Sequence, residues 1–138
     1  MTKLETVLCR ANAHTTGGRE GTSRSSDGRL EVRPSRPGSP GAGTNPEQLF
    51  AAGWSACFES AMAFAARNMN LTLPADHAVD VVVDLGSEGS RFSLAARLYV
   101  SLPGMERATA RRLVEATHQV CPYSRATHGN ILVETMLV

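Results

Sequence analysis

The reactive side chains of this sequence are three cysteines and four histidines. Only two of the cysteines stand where chemistry would be expected. Cys57 lies within an apolar stretch at helical spacing, and Cys121 directly precedes Pro122, at the end of a second amphipathic segment. Cys9 falls in an alternating N-terminal segment and reads as packing. Taken singly, a cysteine among alanine and phenylalanine behaves as a small core residue; a cysteine at a helix terminus is less typical of packing. The chemistry open to such a cysteine is nucleophilic, because its thiolate is a strong nucleophile. Cys57 and Cys121 have no zinc-type spacing, and neither belongs to a CxxC pair. His14, His77, His118 and His128 form neither HxxxH nor HExxH. His118 and Cys121, three residues apart, make only a two-ligand fragment, so no metal is expected. Cys57 with His118 or His128 would be a thiol hydrolase, which no spacing supports. The stretch Gly17-Gly18-Arg19-Glu20-Gly21 lacks the form of a phosphate-binding loop, and no GxGxxG joins a strand to a helix.

The elements that must position these residues follow from periodicity. Residues 3–13 alternate and predict a strand. The glycine-rich run from Thr15 to Gly21 predicts a turn. Short strands are predicted near 21–25 and 30–33 about the turn signal Ser26-Asp27-Gly28. Residues 34–44, rich in Pro, Gly and Ser, predict a long loop within the domain, of a length that is often functional. Asn45, Pro46 and Glu47 have the order of a helix start, and the helix runs to about Asn68. Phe50, Gly53, Trp54, Cys57, Ala61 and Phe64 fall on one stripe. Leu49, Ala52, Ala56, Ala63 and Ala66 widen the apolar surface, which predicts a central, buried helix. Residues 77–85 and 91–102 predict a hairpin around 86–90. Residues 105–119 form an amphipathic helix that Cys121-Pro122 closes, and 131–137 form a last strand. The order β-β-β-α-β-β-α-β predicts one α+β domain over residues 1–138, with antiparallel pairing.

Composition removes several function classes. A chain of 138 residues that is 42% hydrophobic can build a core without staples. The 14 basic and 13 acidic residues nearly cancel, giving no electrostatic case for nucleic acid or an anionic membrane. No run of about 18 apolar residues is present, and the N-terminal residues do not resemble a signal peptide. An odd cysteine count does not suit a secreted disulfide framework, so a cytoplasmic, reducing location is expected. Lys3 is the sole lysine, so a cation in any buried site here would be an arginine.

Longer strings carry more information than single residues. Residues 43–61, GTNPEQLFAAGWSACFESA, resemble the central-helix motif of the organic hydroperoxide resistance proteins, within the osmotically inducible protein C-like (OsmC-like) superfamily. Residues 121–134, CPYSRATHGNILVE, resemble that family's second-cysteine motif. TTGGREG with SSDGRL, within residues 15–30, resembles its N-terminal arginine motif. The resemblance implies the OsmC-like fold, with sheets around a long central helix, in an intertwined homodimer with active sites at the subunit interface. It implies a thiol peroxidase for alkyl, aryl or fatty-acid hydroperoxides. By position, Cys57 would be the peroxidatic cysteine, Cys121 the resolving one, Arg19 the activating guanidinium and Glu47 its orienting carboxylate. The family's reductant is a dihydrolipoyl group such as dihydrolipoamide or a lipoylated protein, acting from outside, with no bound cofactor. Trp54 stands where tyrosine is common, Arg125 where asparagine is common, and His128 where arginine is common. An OsmC-type peroxidase of broader range and a non-catalytic binder of hydrophobic ligands are the alternatives.

The implied roles make chemical sense. Burial raises a thiol's pKa, and Cys57 lies too far into its helix for the dipole to help, so a cation is needed. Arg19, gripped by Glu47, would supply it. Phe50, Trp54 and Phe64 could wall a pocket for an apolar peroxide. Glu47 and Cys57 are ten residues apart, about 15 Å on a straight helix. One arginine could then serve both if two helices packed antiparallel across a two-fold axis, with Ala51, Ala52, Gly53, Ala56 and Ala63 allowing close approach.

Overall fold

The computed structural model describes Met1 and residues 3–138. The chain divides into two compact units, Met1–Pro46 and Glu47–Val138.

In the first unit, β1 (Ala13–Thr16), β2 (Thr22–Ser25) and β3 (Glu31–Val32) form an antiparallel sheet in that order. A single 3-10 turn, Gly18–Glu20, joins β1 to β2 and carries Arg19. The turn depends on glycine: a side chain at Gly21 would place its Cβ 1.7 Å from the Thr16 carbonyl oxygen. The 34–44 loop is closed at its base, where Ser35 N donates to Thr44 O at 2.9 Å and Gly43 N donates to Ser35 Oγ at 2.9 Å. The strand predicted over 3–13 shrinks to its last residue. Residues 3–12 alternate as expected but are exposed throughout, with Leu8 at 94%, and among the described residues no strand pairs with them. An alternating sequence becomes a strand only where a neighbouring backbone satisfies its N–H and C=O groups.

The second unit is built on α1 (Pro46–Asn68), with Pro46 as its first residue and Glu47 in its first turn. Both suit a helix N-terminus. β4 (Ala78–Glu88) and β5 (Arg91–Ser101) form an antiparallel hairpin. α2 (Arg107–Val120) and α3 (Pro122–Thr127) then lead to β6 (Leu132–Leu137). Val79, Val81 and Val83 lie opposite Val100, Leu98 and Ala96. Val133, Thr135 and Leu137 of β6 continue that face. The face meets Trp54, Phe58, Met62 and Ala65 of α1 and Leu113 and Val114 of α2 in one core.

Four expectations change in this unit. First, β6 runs parallel to β5, so the sheet is mixed; the α2–α3 crossover returns the chain to the end of the sheet where β5 began. Second, the hairpin turn is only Gly89-Ser90, because 86–88 still pair with 91–93. Gly89, at φ +58°, supplies the left-handed backbone of that turn. Third, Pro122 both ends α2 and opens α3, where its missing N–H costs nothing. Fourth, the buried stripe of α1 is Trp54, Phe58, Ala61, Met62, Ala65 and Ala66, whereas Phe64 is 49% exposed. A helix apolar around most of its girth carries little directional signal, so its periodicity could not say which side faces this core. The far side of α1, with Ala52, Ala56 and Ala63, is exposed. In length and hydropathy α1 could cross a bilayer; here its buried stripe forms the centre of the unit's core.

Candidate active site: two cysteines at a helix corner

α1 holds Cys57 on the flank of its buried stripe, immediately before Phe58. Cys121 occupies the corner between α2 and α3 and is fully buried. Its N–H donates to Thr117 O at 2.9 Å, and its carbonyl accepts from Arg125 N at 3.0 Å. These two bonds fix the corner from both helices. Both cysteines are free, and their sulfurs lie 3.9 Å apart. A disulfide needs about 2.05 Å, so the pair is a dithiol that must close by about 1.9 Å to bond. Gly53 makes the approach of the two elements possible. A Cβ there would meet Tyr123 Oη at 2.8 Å, closer than side-chain carbons come.

The environment of Cys57 works against the thiolate. Burial pushes its pKa above the ordinary value, and the neighbouring Cys121 pushes it further; a hydrogen bond from the Tyr123 backbone N–H pulls the other way. On this balance Cys57 is a thiol at neutral pH.

Behind the pair sits His118. Its Nδ1 lies 2.9 Å from Ser124 Oγ and its Nε2 lies 3.0 Å from Thr135 Oγ1. Burial lowers its pKa, and His128 lowers it further, so the ring is neutral. A neutral ring has one donor and one acceptor nitrogen, and both are engaged here. His118 is therefore placed neither as a base for Cys57 nor as a metal ligand with Cys121. Among the described residues, no group of three or more His, Cys, Asp or Glu side chains could hold a metal ion.

An apolar pocket of about 450 Å³ opens beside the corner, lined by Phe50, Leu94, Pro122, Tyr123, Ala126 and Ile131 among others. Of the three aromatics expected to wall a pocket, only Phe50 lines this one, while Trp54 lines a second pocket with His118 and Thr135. Trp54 is fully buried, edge-on to Phe50 with ring centroids 5.5 Å apart, and Phe64 points away into the exposed surface. Tyr123, whose ring centroid is 5.7 Å from that of Phe50, takes the place assigned to them. Tyr123 and Pro122 were within reach of sequence reasoning, since they follow Cys121 directly. Leu94 and Ile131 carry no local signal, because pairing across the sheet brings them there.

The remaining two predicted site residues are placed as follows. Arg19 is half-buried in the 3-10 turn of the first unit. Glu47 is in the first turn of α1, which runs unbroken past Cys57. The helix therefore keeps Glu47 and Cys57 of one chain about 15 Å apart and does not bring them together.

A pair of free thiols in contact, beside an apolar pocket in an α+β unit, defines a thiol-based redox protein. Comparison with known proteins narrows that class. Residues 38–136 match the OsmC-like protein family. The chain is 46% identical to the organic hydroperoxide resistance protein of Xanthomonas axonopodis pv. citri, over 99% of both chains. It superposes on the crystal structure of the organic hydroperoxide resistance protein OhrB of Bacillus subtilis with a TM-score of 0.89 and 37% identity, covering 96% of this chain and 100% of that one. A putative organic hydroperoxide resistance protein of Vibrio cholerae, solved with captopril in one of its active sites, gives a TM-score of 0.91 at 37% identity, over 98% and 95%. The chain belongs to the OsmC-like family, in its organic hydroperoxide resistance branch. Membership makes it a peroxidase-type redox enzyme.

Proposed function

We propose that the protein reduces organic hydroperoxides to alcohols through a Cys57 sulfenic acid and a Cys57–Cys121 disulfide, and that a dihydrolipoyl dithiol resets it. The Cys57 thiolate attacks the outer peroxide oxygen, an S–O bond forms, the O–O bond breaks, and the alkoxide leaves as alcohol after taking a proton. The Cys121 thiolate then attacks the sulfenic sulfur; an S–S bond forms and hydroxide leaves as water. An external dithiol, dihydrolipoamide or a lipoylated protein, returns two electrons by thiol–disulfide exchange. The observation that carries this reading is the 3.9 Å separation of two free sulfurs, one of them fully buried, at a corner whose Pro122 and Tyr123 line a substrate-sized pocket. Phe50 and Tyr123 line the space for the organic tail.

Arg19 supplies the charge that Cys57 lacks, oriented by Glu47. Because Glu47 cannot reach Cys57 along its own helix, the active protein is a homodimer. Two α1 helices pack antiparallel through their exposed Ala52, Ala56 and Ala63, so that Glu47 of one chain serves the site of the other. The exposed apolar residues Leu4, Val7 and Leu8 suit a segment that pairs with a second copy. The cytoplasm, where thiols are kept reduced, suits such a cycle.

A lipoamide-coupled peroxidase assay tests the reading. Cumene hydroperoxide should be turned over faster than hydrogen peroxide, and Cys57→Ser should abolish turnover. Activity that survives Cys57→Ser would contradict it.

A further inference from the structure

One side chain ties the corner that carries Cys121 to α3, to the sheet and to α1 at once. His118 sits in the last turn of α2, three residues before Cys121. It reaches forward to Ser124 of α3 through Nδ1 and across to Thr135 of β6 through Nε2. Its ring also packs edge-on against Phe58, with centroids 4.9 Å apart. Phe58 directly follows Cys57 on α1. A single imidazole thus joins the two helices flanking Cys121 to the sheet and to the helix that bears Cys57. The two backbone bonds of Cys121 hold it to α2 and α3; toward α1 the corner is held by the Tyr123 N–H on Cys57, by Tyr123 against Phe50, and by His118 against Phe58. His118 extends that hold to the sheet through Thr135. Ser124, in α3, is buried, and Thr135 is on the core face of β6, opposite Leu98.

We propose that His118 is a positioning residue for disulfide closure, holding Cys121 within attacking reach of the Cys57 sulfenic acid. The inference rests on the reading of Cys121 as the resolving cysteine. In the step it serves, the Cys121 sulfur bonds to the Cys57 sulfur, the S–O bond of the sulfenic acid breaks, and the oxygen leaves as water. The oxidising equivalents come from the organic hydroperoxide. His118 exchanges no proton with either sulfur. Its effect is geometric, and closure is the step most sensitive to a shift of the corner, since displacement by about 1 Å costs up to about 100-fold in such a reaction. Attack of Cys57 on the peroxide requires no approach of the Cys121 sulfur.

The two steps can be timed separately. Reduced protein is mixed with one equivalent of cumene hydroperoxide, quenched with a diketone that traps sulfenic acid, and analysed by intact mass. His118→Phe should form the sulfenic acid within about twofold of the wild-type rate but close the disulfide at least about tenfold more slowly, so that trapped sulfenic acid accumulates at Cys57. Thr135→Val should slow closure in the same sense, and Thr135→Ser, which keeps the hydroxyl, should restore it; this pair carries the test if His118→Phe fails to fold. Closure at the wild-type rate in His118→Phe or Thr135→Val would overturn the inference. So would equal slowing of both steps, which is the mark of a general structural role. A wild-type chain that forms sulfenic acid but no disulfide would overturn the resolving role of Cys121, and this inference with it.

Discussion

At the residue scale the central problem is the charge on Cys57. Burial and the neighbouring thiol both raise its pKa, and one backbone N–H opposes them. A peroxidase needs the thiolate, so the proposed guanidinium of Arg19 must outweigh those effects. A cation at close range lowers an acid's pKa by about 1–3 units. Arg19→Ala should therefore slow iodoacetamide alkylation of Cys57 at pH 7 by about 10-fold or more and move its pH profile upward. An unchanged profile would remove Arg19 from the mechanism. His118 gives a second expectation. Its folded pKa is depressed, so between that value and the ordinary 6.5 the unfolded chain binds more protons. The stability it contributes is full above about pH 6.5 and is lost as the pH falls through that window. Chemical denaturation from pH 7.5 to 5 should show this loss in the wild type and a smaller one in His118→Gln. Equal slopes would mean that the ring is not held neutral.

Elements were legible where sequence signals are local. Pro46 and Glu47 placed the start of α1, and Ser26-Asp27-Gly28 marked a tight turn. What failed depended on partners. Residues 3–12 have a strand's alternation but no strand beside them, and the direction of β6 was set by the α2–α3 crossover rather than by its own residues. α1 shows the same limit: its length was readable, but Phe58 and Met62 were hidden as core residues in a helix apolar on most sides. The site followed this division. Cys57 and Cys121 were assigned by motif and lie in contact; of the pocket wall, Phe50 was named and Tyr123 follows Cys121 directly, whereas Leu94 and Ile131 are brought there only by packing. The turn that bears Arg19 offers a test at this scale. Gly21→Ala sets a Cβ against the Thr16 carbonyl, and relieving such overpacking costs about 1–3 kcal/mol. Peroxidase activity should fall while the near-ultraviolet signal of Trp54, in the core of the second unit, is kept. Full activity would show that the turn's shape does not matter to the site.

At the scale of the whole molecule, one chain leaves much apolar surface without cover. Leu4, Leu8, Phe64, Phe92 and Leu132 are exposed, together with the alanine side of α1. The proposed assembly, with that side of α1 buried, would cover the alanine face and set Glu47 of one chain at the site of the other. Light scattering after size exclusion should give a dimer, and Ala56→Arg should yield monomers that have lost peroxidase activity. Fully active monomers would separate the site from the assembly.

The claim on which the rest depends is that Cys57 is oxidised first and Cys121 resolves it. Intact mass spectrometry of the wild type and of Cys121→Ser, each after one equivalent of cumene hydroperoxide, tests it directly. The wild type should lose two mass units as the disulfide forms between Cys57 and Cys121, and Cys121→Ser should gain one oxygen at Cys57, with a second added only by a further equivalent of peroxide. An unmodified Cys57 in Cys121→Ser, or a wild-type disulfide that does not join these two residues, would contradict the account.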